Sequence, residues 1–217
     1  MNDLFLSIEY NEREFANIEE FKTSLDEHFN YQIRPKWIPA AAEGGEFWMT
    51  IFINSELKDF LVGAMAGGFL WDTIKAGGKK YLLKPLFEKL EKLNKDNSVF
   101  GGLKVRKLKF QFDNCEIIIG GLNSNFTSVI SSVFNEISKK KPKFEDDNGL
   151  KVTKIELPIE YKPSIDKKDY SPYFINVFND DYRIEVFKKM WKLTFETNFL
   201  ILIYDFDKKK YFDAYPN

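Results

Sequence analysis

Three stretches of the chain hold residue types at spacings that could do chemistry. At Ile117–Phe126 an apolar run meets Gly120-Gly121, then Asn123, Ser124 and Asn125, ahead of a helical pattern. Consecutive backbone N–H groups at such a strand-to-helix junction can cradle a phosphate. The stretch has neither GxxxxGK[ST] nor GxGxxG, so the ordinary reading is a glycine-rich connection. Ten of the twelve glycines come as Gly-Gly pairs, which marks bends throughout the chain. Asp205, Asp207 and Asp213 form an acidic end to the last strands, and a DxD pair can offer oxygen ligands to a divalent cation. No Gly or distal Glu completes a calcium loop, and Lys208–Lys210 neutralise the neighbourhood, which predicts a solvated hairpin tip. Glu145, Asp146 and Asp147 read as a charged loop.

Nucleophilic and acid–base chemistry find little to work with. His28 is the only histidine and falls near the end of a helical pattern, where a surface place is expected. Cys115, the only cysteine, lies in an apolar strand pattern and is expected to be buried and inert; it excludes an internal disulfide or a thiolate metal cluster. Thirty-three acidic residues could meet in space as a carboxylate pair, but no spacing selects one. The sequence therefore assigns no catalytic residue, metal ligand or cofactor.

Charge is more informative. The whole chain carries a net −1, which argues against a dedicated nucleic-acid binder. Residues 1–60 hold 5 basic and 12 acidic side chains, whereas residues 75–154 hold 17 basic and 9 acidic. Opposite faces of one fold commonly differ in this way, but the asymmetry can also steer an acidic partner or an anionic membrane surface. The residues selected as an interface are Lys75, Lys79, Lys80 and Lys84, with Tyr170 and Tyr173 on a long connection from Lys162 to Asp181.

These residues need a scaffold, and its centre is Ser55–Asn94. Phe60–Trp71 has no charge, but as a helix it spans about 18 Å against the roughly 30 Å of a bilayer core. Lys58, Asp59 and Asp72 bracket it, so a spanning helix is not predicted. Gly63 and Gly67 share a helix face and predict the close approach of another backbone. After Gly77-Gly78, residues Leu82, Leu83, Leu86, Phe87, Leu90 and Leu93 make an apolar helical stripe with lysines around it. Two helices joined by a short glycine link predict a central helical hairpin.

Around this centre, Leu4, Leu6 and Ile8 alternate as an opening strand. Asn17 and Glu20 read as a capping box for a helix whose stripe is Ile18, Phe21, Leu25 and Phe29. Tyr31–Pro39 and Glu46–Ile53 read as strands, the first placed at an edge or bend by Pro35 and Pro39. Val105–Phe112 and Ile117–Ile119 form a hairpin about Asp113-Asn114. A helix over Phe126–Ile137 ends in Lys139–Lys141 before Pro142. Asn148-Gly149 signals a hairpin, and Leu150–Tyr161 a strand. Trp191–Phe195, Phe199–Phe206 and Lys210–Ala214 make a terminal meander with turns at Thr197-Asn198 and Asp207-Lys208. A strand–helix–strand unit is suggested twice, near 4–53 and near 104–161, without residue alignment that would make it a repeat.

The expectation is a single α+β domain over 1–217, with a mixed or mainly antiparallel sheet, a central helical hairpin and a C-terminal β-meander. Its possible sub-division is at 1–98 and 99–217. The opening MNDLFLSIEY lacks a basic and apolar leader pattern, so a cytoplasmic protein is expected; richness in Lys, Asn, Ile and Phe suggests a bacterial one. The functional expectation is a non-enzymatic protein-interaction protein of accessory or immunity type. The alternatives are a peripheral membrane protein using residues 57–84 and an enzyme with a spatially assembled carboxylate site.

Overall fold

The computed structural model describes residues 3–11, 17–37, 45–66, 74–76, 78–98, 102–122, 126–140, 150–157, 159–163, 170–174, 190–196 and 200–214. In chain order these form β1 (Phe5–Tyr10), α1 (Ile18–Asp26), β2 (Asn30–Pro35), β3 (Gly45–Ile53), α2 (Leu57–Ala66), β4 (Ile74–Ala76), β5 (Lys79–Tyr81), α3 (Lys84–Asp96), β6 (Leu103–Phe112), β7 (Glu116–Leu122), α4 (Phe126–Lys140), β8 (Val152–Leu157), β9 (Ile159–Pro163), β10 (Tyr170–Phe174), β11 (Met190–Phe195), β12 (Ile201–Asp205) and β13 (Lys210–Asp213). The class is α+β.

Nine strands form one mixed sheet in the order β13-β12-β11-β8-β7-β6-β3-β1-β2. Alternation in the sequence decides which face meets the core. Leu6, Ile8 and Tyr10 pair with Ile51, Met49 and Phe47 on one face, and all of them are buried. Phe5, Ser7 and Glu9 pair with Phe52, Thr50 and Trp48 on the other. The apolar face continues through Leu108, Phe110 and Phe112 of β6 and Ile117 and Ile119 of β7.

All four described helices cover that apolar face. Phe21 of α1 sits edge-on to Phe47 at 6.1 Å. Phe60 of α2 and Phe134 of α4 meet at 5.4 Å, each also touching Phe112, while Phe110 packs edge-on to Phe134 at 4.9 Å. Such ring pairs contribute about 0.5–1.5 kcal/mol each beyond area burial. One contiguous cluster runs from Leu4 to Phe195. The stripe expected for α4, Phe126, Val129, Ile130, Val133, Phe134 and Ile137, is buried throughout.

Three crossovers join parallel neighbours: β1–α1–β2, β3 to β6 through α2 and α3, and β7–α4–β8. Strands β1, β2, β7 and β8 all run opposite to β3 and β6. From β1 the chain steps outward to β2, and from β7 it steps outward to β8 on the other flank, with both helices on the same face. The two crossovers therefore have opposite hands, and at least one departs from the usual right-handed sense.

The central stretch differs from the expected helical hairpin. Both helices are present, as α2 and α3, but between them stands a small β-hairpin, β4–β5. Ile74, Ala76 and Tyr81 are buried while Lys75 and Lys80 are exposed, a period of two that outweighs the helical reading. Gly78 supplies the left-handed turn at φ 76°. α2 packs against β4, whereas α3 packs against α1 and α4. The predicted close approach at Gly63 is present, and the backbone that approaches is that of Lys75 in β4.

Other differences are local. Asn17 stands at the start of α1 but in the left-handed region at φ 60°, and its side chain makes no cap bond, so the capping box does not form. The expected strand Leu150–Tyr161 is divided into β8 and β9 around Pro158. Part of the Lys162–Asp181 connection is β10, paired with β9 as a two-stranded ribbon; β2 is indeed the sheet edge, and β11–β13 form the meander. Asn148-Gly149 and Thr197-Asn198 fall outside the described residues.

Candidate functional site

The sheet face opposite the helices carries partly exposed aromatic side chains and paired charges from several strands. Register lines them up in rows. One row runs Phe5, Phe52, Gln111, Glu116, Lys154 and Thr194; the next runs Gln32, Ser7, Thr50, Lys109, Ile118, Glu156 and Lys192. On the β1–β3 flank, Phe5 is 40% exposed and lies 5.7 Å from the ring of Phe52. Trp48 lies under the Lys36 ammonium at 4.4 Å, a cation–π contact. Trp37, just past β2, is 76% exposed.

Glu9 ties this flank together. It accepts hydrogen bonds from Arg34 Nε at 2.9 Å and Lys36 Nζ at 3.1 Å. The bond from Arg34, then that from Lys36, holds its carboxyl below the usual carboxylate range. Across β6, β7 and β8, Glu116 bridges Lys109 at 3.1 Å and Lys154 at 3.0 Å. Burial pushes the Glu116 carboxyl up as its largest single influence, but the bonds from Lys154 and Lys109 together outweigh it and hold it low. The bond to Glu116 raises Lys154 in turn. Glu156 and Lys192 pair at 3.1 Å in the adjoining row.

A β-bulge interrupts the β3–β6 ladder, because Phe47 faces Val105 and Trp48 faces Lys107. Arg106 is the extra residue, and its Nε lies 2.5 Å from Glu46 Oε1. Glu46 is buried at 4%, so the bulge turns a guanidinium onto a carboxylate that would otherwise lack a counter-charge. The pairing makes Glu46 a structural pin.

The chemistry considered from sequence falls out differently. At the α4 N-terminus the Thr127 N–H donates to Glu91 Oε1 at 3.2 Å, so the junction after Gly120-Gly121 is served by a carboxylate of the chain itself. Asp205 Oδ1 accepts from the N–H groups of Asp207 and Lys208 at 2.9 and 3.0 Å, organising the Asp207-Lys208 turn. Cys115 is buried and His28 is exposed beside Glu27. Glu145–Asp147 lie outside the described residues. Among the described residues no group of three or more His, Cys, Asp or Glu is placed to hold a metal ion.

Of the lysines selected from sequence, Lys75 and Lys80 face each other across β4–β5, both exposed. Lys79 Nζ donates to the Asn54 carbonyl at 3.1 Å. The Tyr81 hydroxyl donates to the same oxygen at 3.1 Å, and burial pushes its pKa up to about 12. Lys84 opens α3. Tyr170 and Tyr173 lie on β10, in register with Pro163 and Glu160, and only their backbone placement is described. The lysine hairpin hangs from Asn54 at the C-terminal end of β3, while β9 leaves the C-terminal end of the oppositely directed β8. The two groups thus start from opposite ends of the sheet.

The open face went unrecognised in the sequence, although its signal is present. Lys107, Lys109 and Gln111, then Lys154 and Glu156, then Lys192 and Thr194 alternate with core residues on successive strands. A groove of ≈ 160 Å³ lies between α1 and α3 and is crossed by the Glu20–Lys92 ion pair. No helix among the described residues is long and apolar enough to cross a membrane. Comparison with family models, with characterised proteins and with solved structures gave no match.

Proposed function

We propose that this chain is a non-enzymatic protein-binding protein, of the accessory or immunity type, that engages another protein through the open face of its sheet. The observation that supports this reading is the combination of Phe5, Phe52 and Trp48 on one flank with the Lys–Glu rows beside them. Exposed aromatics next to pre-paired charges are what protein interfaces use as anchors and rim. The charges are already held by neighbours, so they lose little freedom on docking. A bacterial, cytoplasmic setting belongs to the same proposal. The test is affinity capture from the native cell with wild-type protein and with Phe5→Glu/Phe52→Lys. The reading expects a specific protein that the double variant loses; recovery of none, or of the same protein by both, counts against it.

A second reading is peripheral binding to an anionic membrane, favoured by one observation. Val62 and Met65 are 55% and 50% exposed on α2, whose neighbour β4 presents Lys75 opposite Lys80. Apolar side chains beside lysines suit an anionic bilayer surface. Flotation with phosphatidylserine vesicles at low salt decides it, and absence of binding there removes this reading.

A further inference from the structure

The edge strand β2 presents a bare hydrogen-bonding row, and we infer that it pairs antiparallel with β2 of a second copy of this chain. The backbone geometry is fixed by one bond beyond the strand: the Lys36 N–H donates to the Tyr10 carbonyl at 2.7 Å. Alternation then turns the even-numbered residues of β2 toward β1 and points the N–H and C=O groups of Tyr31 and Ile33, with the carbonyl of Pro35, away from the sheet. Among the described residues none of these outward groups has a partner. Asn30, Gln32, Arg34 and Pro35 are exposed, and among the described residues no strand pairs with this edge. Native edges are usually blunted by charged side chains, prolines, bulges or a covering segment; in β2 the one charge, Arg34, is held by Glu9 and the one proline stands at the last position of the strand. β2 has no lysine and keeps a regular ladder through all six residues.

The sequence NYQIRP is self-complementary in one register. With the two-fold axis at Gln32, Tyr31 faces Ile33 of the second copy, and the outward N–H and C=O groups of each meet those of the other. The same register puts Asn30 opposite Arg34, a hydrogen-bonding pair without like charges. Tyr31 and Ile33, each partly buried against the core, extend the apolar face across the junction. Moving the axis to Ile33 sets Tyr31 against Pro35, which has no N–H to give. Moving it to Arg34 sets two guanidinium groups face to face. The Gln32 register avoids both defects, which is why a second copy fits this edge.

The experiment is sedimentation equilibrium on the full chain, paired with a cross-linking variant. In the Gln32 register, residue 32 meets its own copy as a non-hydrogen-bonded pair with Cα atoms about 4.5 Å apart, close enough for a disulfide. Gln32→Cys should form a covalent dimer on mild oxidation, and Asn30→Cys should not. Gln32→Lys should weaken the dimer at least about tenfold through two lysines at the axis. Its melting curve as a monomer checks that the fold is intact. A wild-type chain that stays monomeric at every soluble concentration overturns the inference. So does a dimer that tolerates Gln32→Lys while Gln32→Cys fails to cross-link.

Discussion

Gly63 of α2 packs directly on the backbone of Lys75, so a Cβ at that position would fall inside van der Waals contact of the Lys75 carbonyl oxygen and carbon. That contact lets a helix lie on a strand with no side chain between them. Glycine costs a helix about 1 kcal/mol relative to alanine, and overpacking costs about 1–3 kcal/mol. Gly63→Ala is therefore expected to lose stability despite its better helix propensity, with a lower midpoint in urea. Val62→Ala, on the exposed side of the same helix, should leave the midpoint nearly unchanged.

Arg106 and Glu46 make a second stability prediction. Arg106→Met strands a buried carboxylate, at an expected cost of about 2 kcal/mol, held below the range for fully buried pairs because the guanidinium is partly exposed. Glu46→Met/Arg106→Met removes both charges and should recover part of that loss. A double variant less stable than Arg106→Met in chemical denaturation would contradict the role of the bulge as a charge-turning device.

The carboxylates of the open face set an acid dependence. Glu9 and Glu116 are both held below the ordinary value of 4.5 in the folded chain. Their contribution is fully present above that value and is lost as pH falls through the lower folded one. Lys154 is raised above 10.5, so its contribution holds at neutral pH and disappears as pH rises beyond its folded value. Melting temperature should accordingly fall on acidification below about pH 4.5. Glu116→Gln should flatten that fall; an identical acid profile for variant and wild type would refute the assignment.

Glu91 is predicted to act as an external cap for α4. Glu91→Ala should cost about 1 kcal/mol, as loss of an N-terminal cap does. Hydrogen exchange gives the specific readout, with faster exchange in the first turn of α4 and no change in the last.

Much of this fold was legible where one periodicity dominated. The α4 stripe and the β6–β7 hairpin repeat their apolar residues at a single clear spacing, and tertiary packing had nothing to override. The middle of the chain was harder because Ile74 to Leu83 satisfies two periods at once. Its lysines fit the solvent side of a helix as well as of a hairpin, and the buried Tyr81 with its bond to Asn54 decides for the strand. The open face was harder still. The β6–β7 hairpin brings Lys109 to Glu116, but Lys154, 38 residues beyond Glu116, joins them only through a parallel pairing that no local pattern encodes.

The opposed crossovers bear on where this chain came from. In the strand order β2-β1-β3-β6-β7-β8 the directions read the same from either end, which gives the sheet the look of a doubled half. A copied half would be related to its original by a rotation about an axis along the strands, and that rotation would carry α1 to the opposite face from α4. Both lie on one face, so the halves are related in layout as a reflection, which duplication of an L-polypeptide cannot produce. The two strand–helix–strand units are better understood as independent solutions to covering one sheet than as descendants of a single ancestral segment.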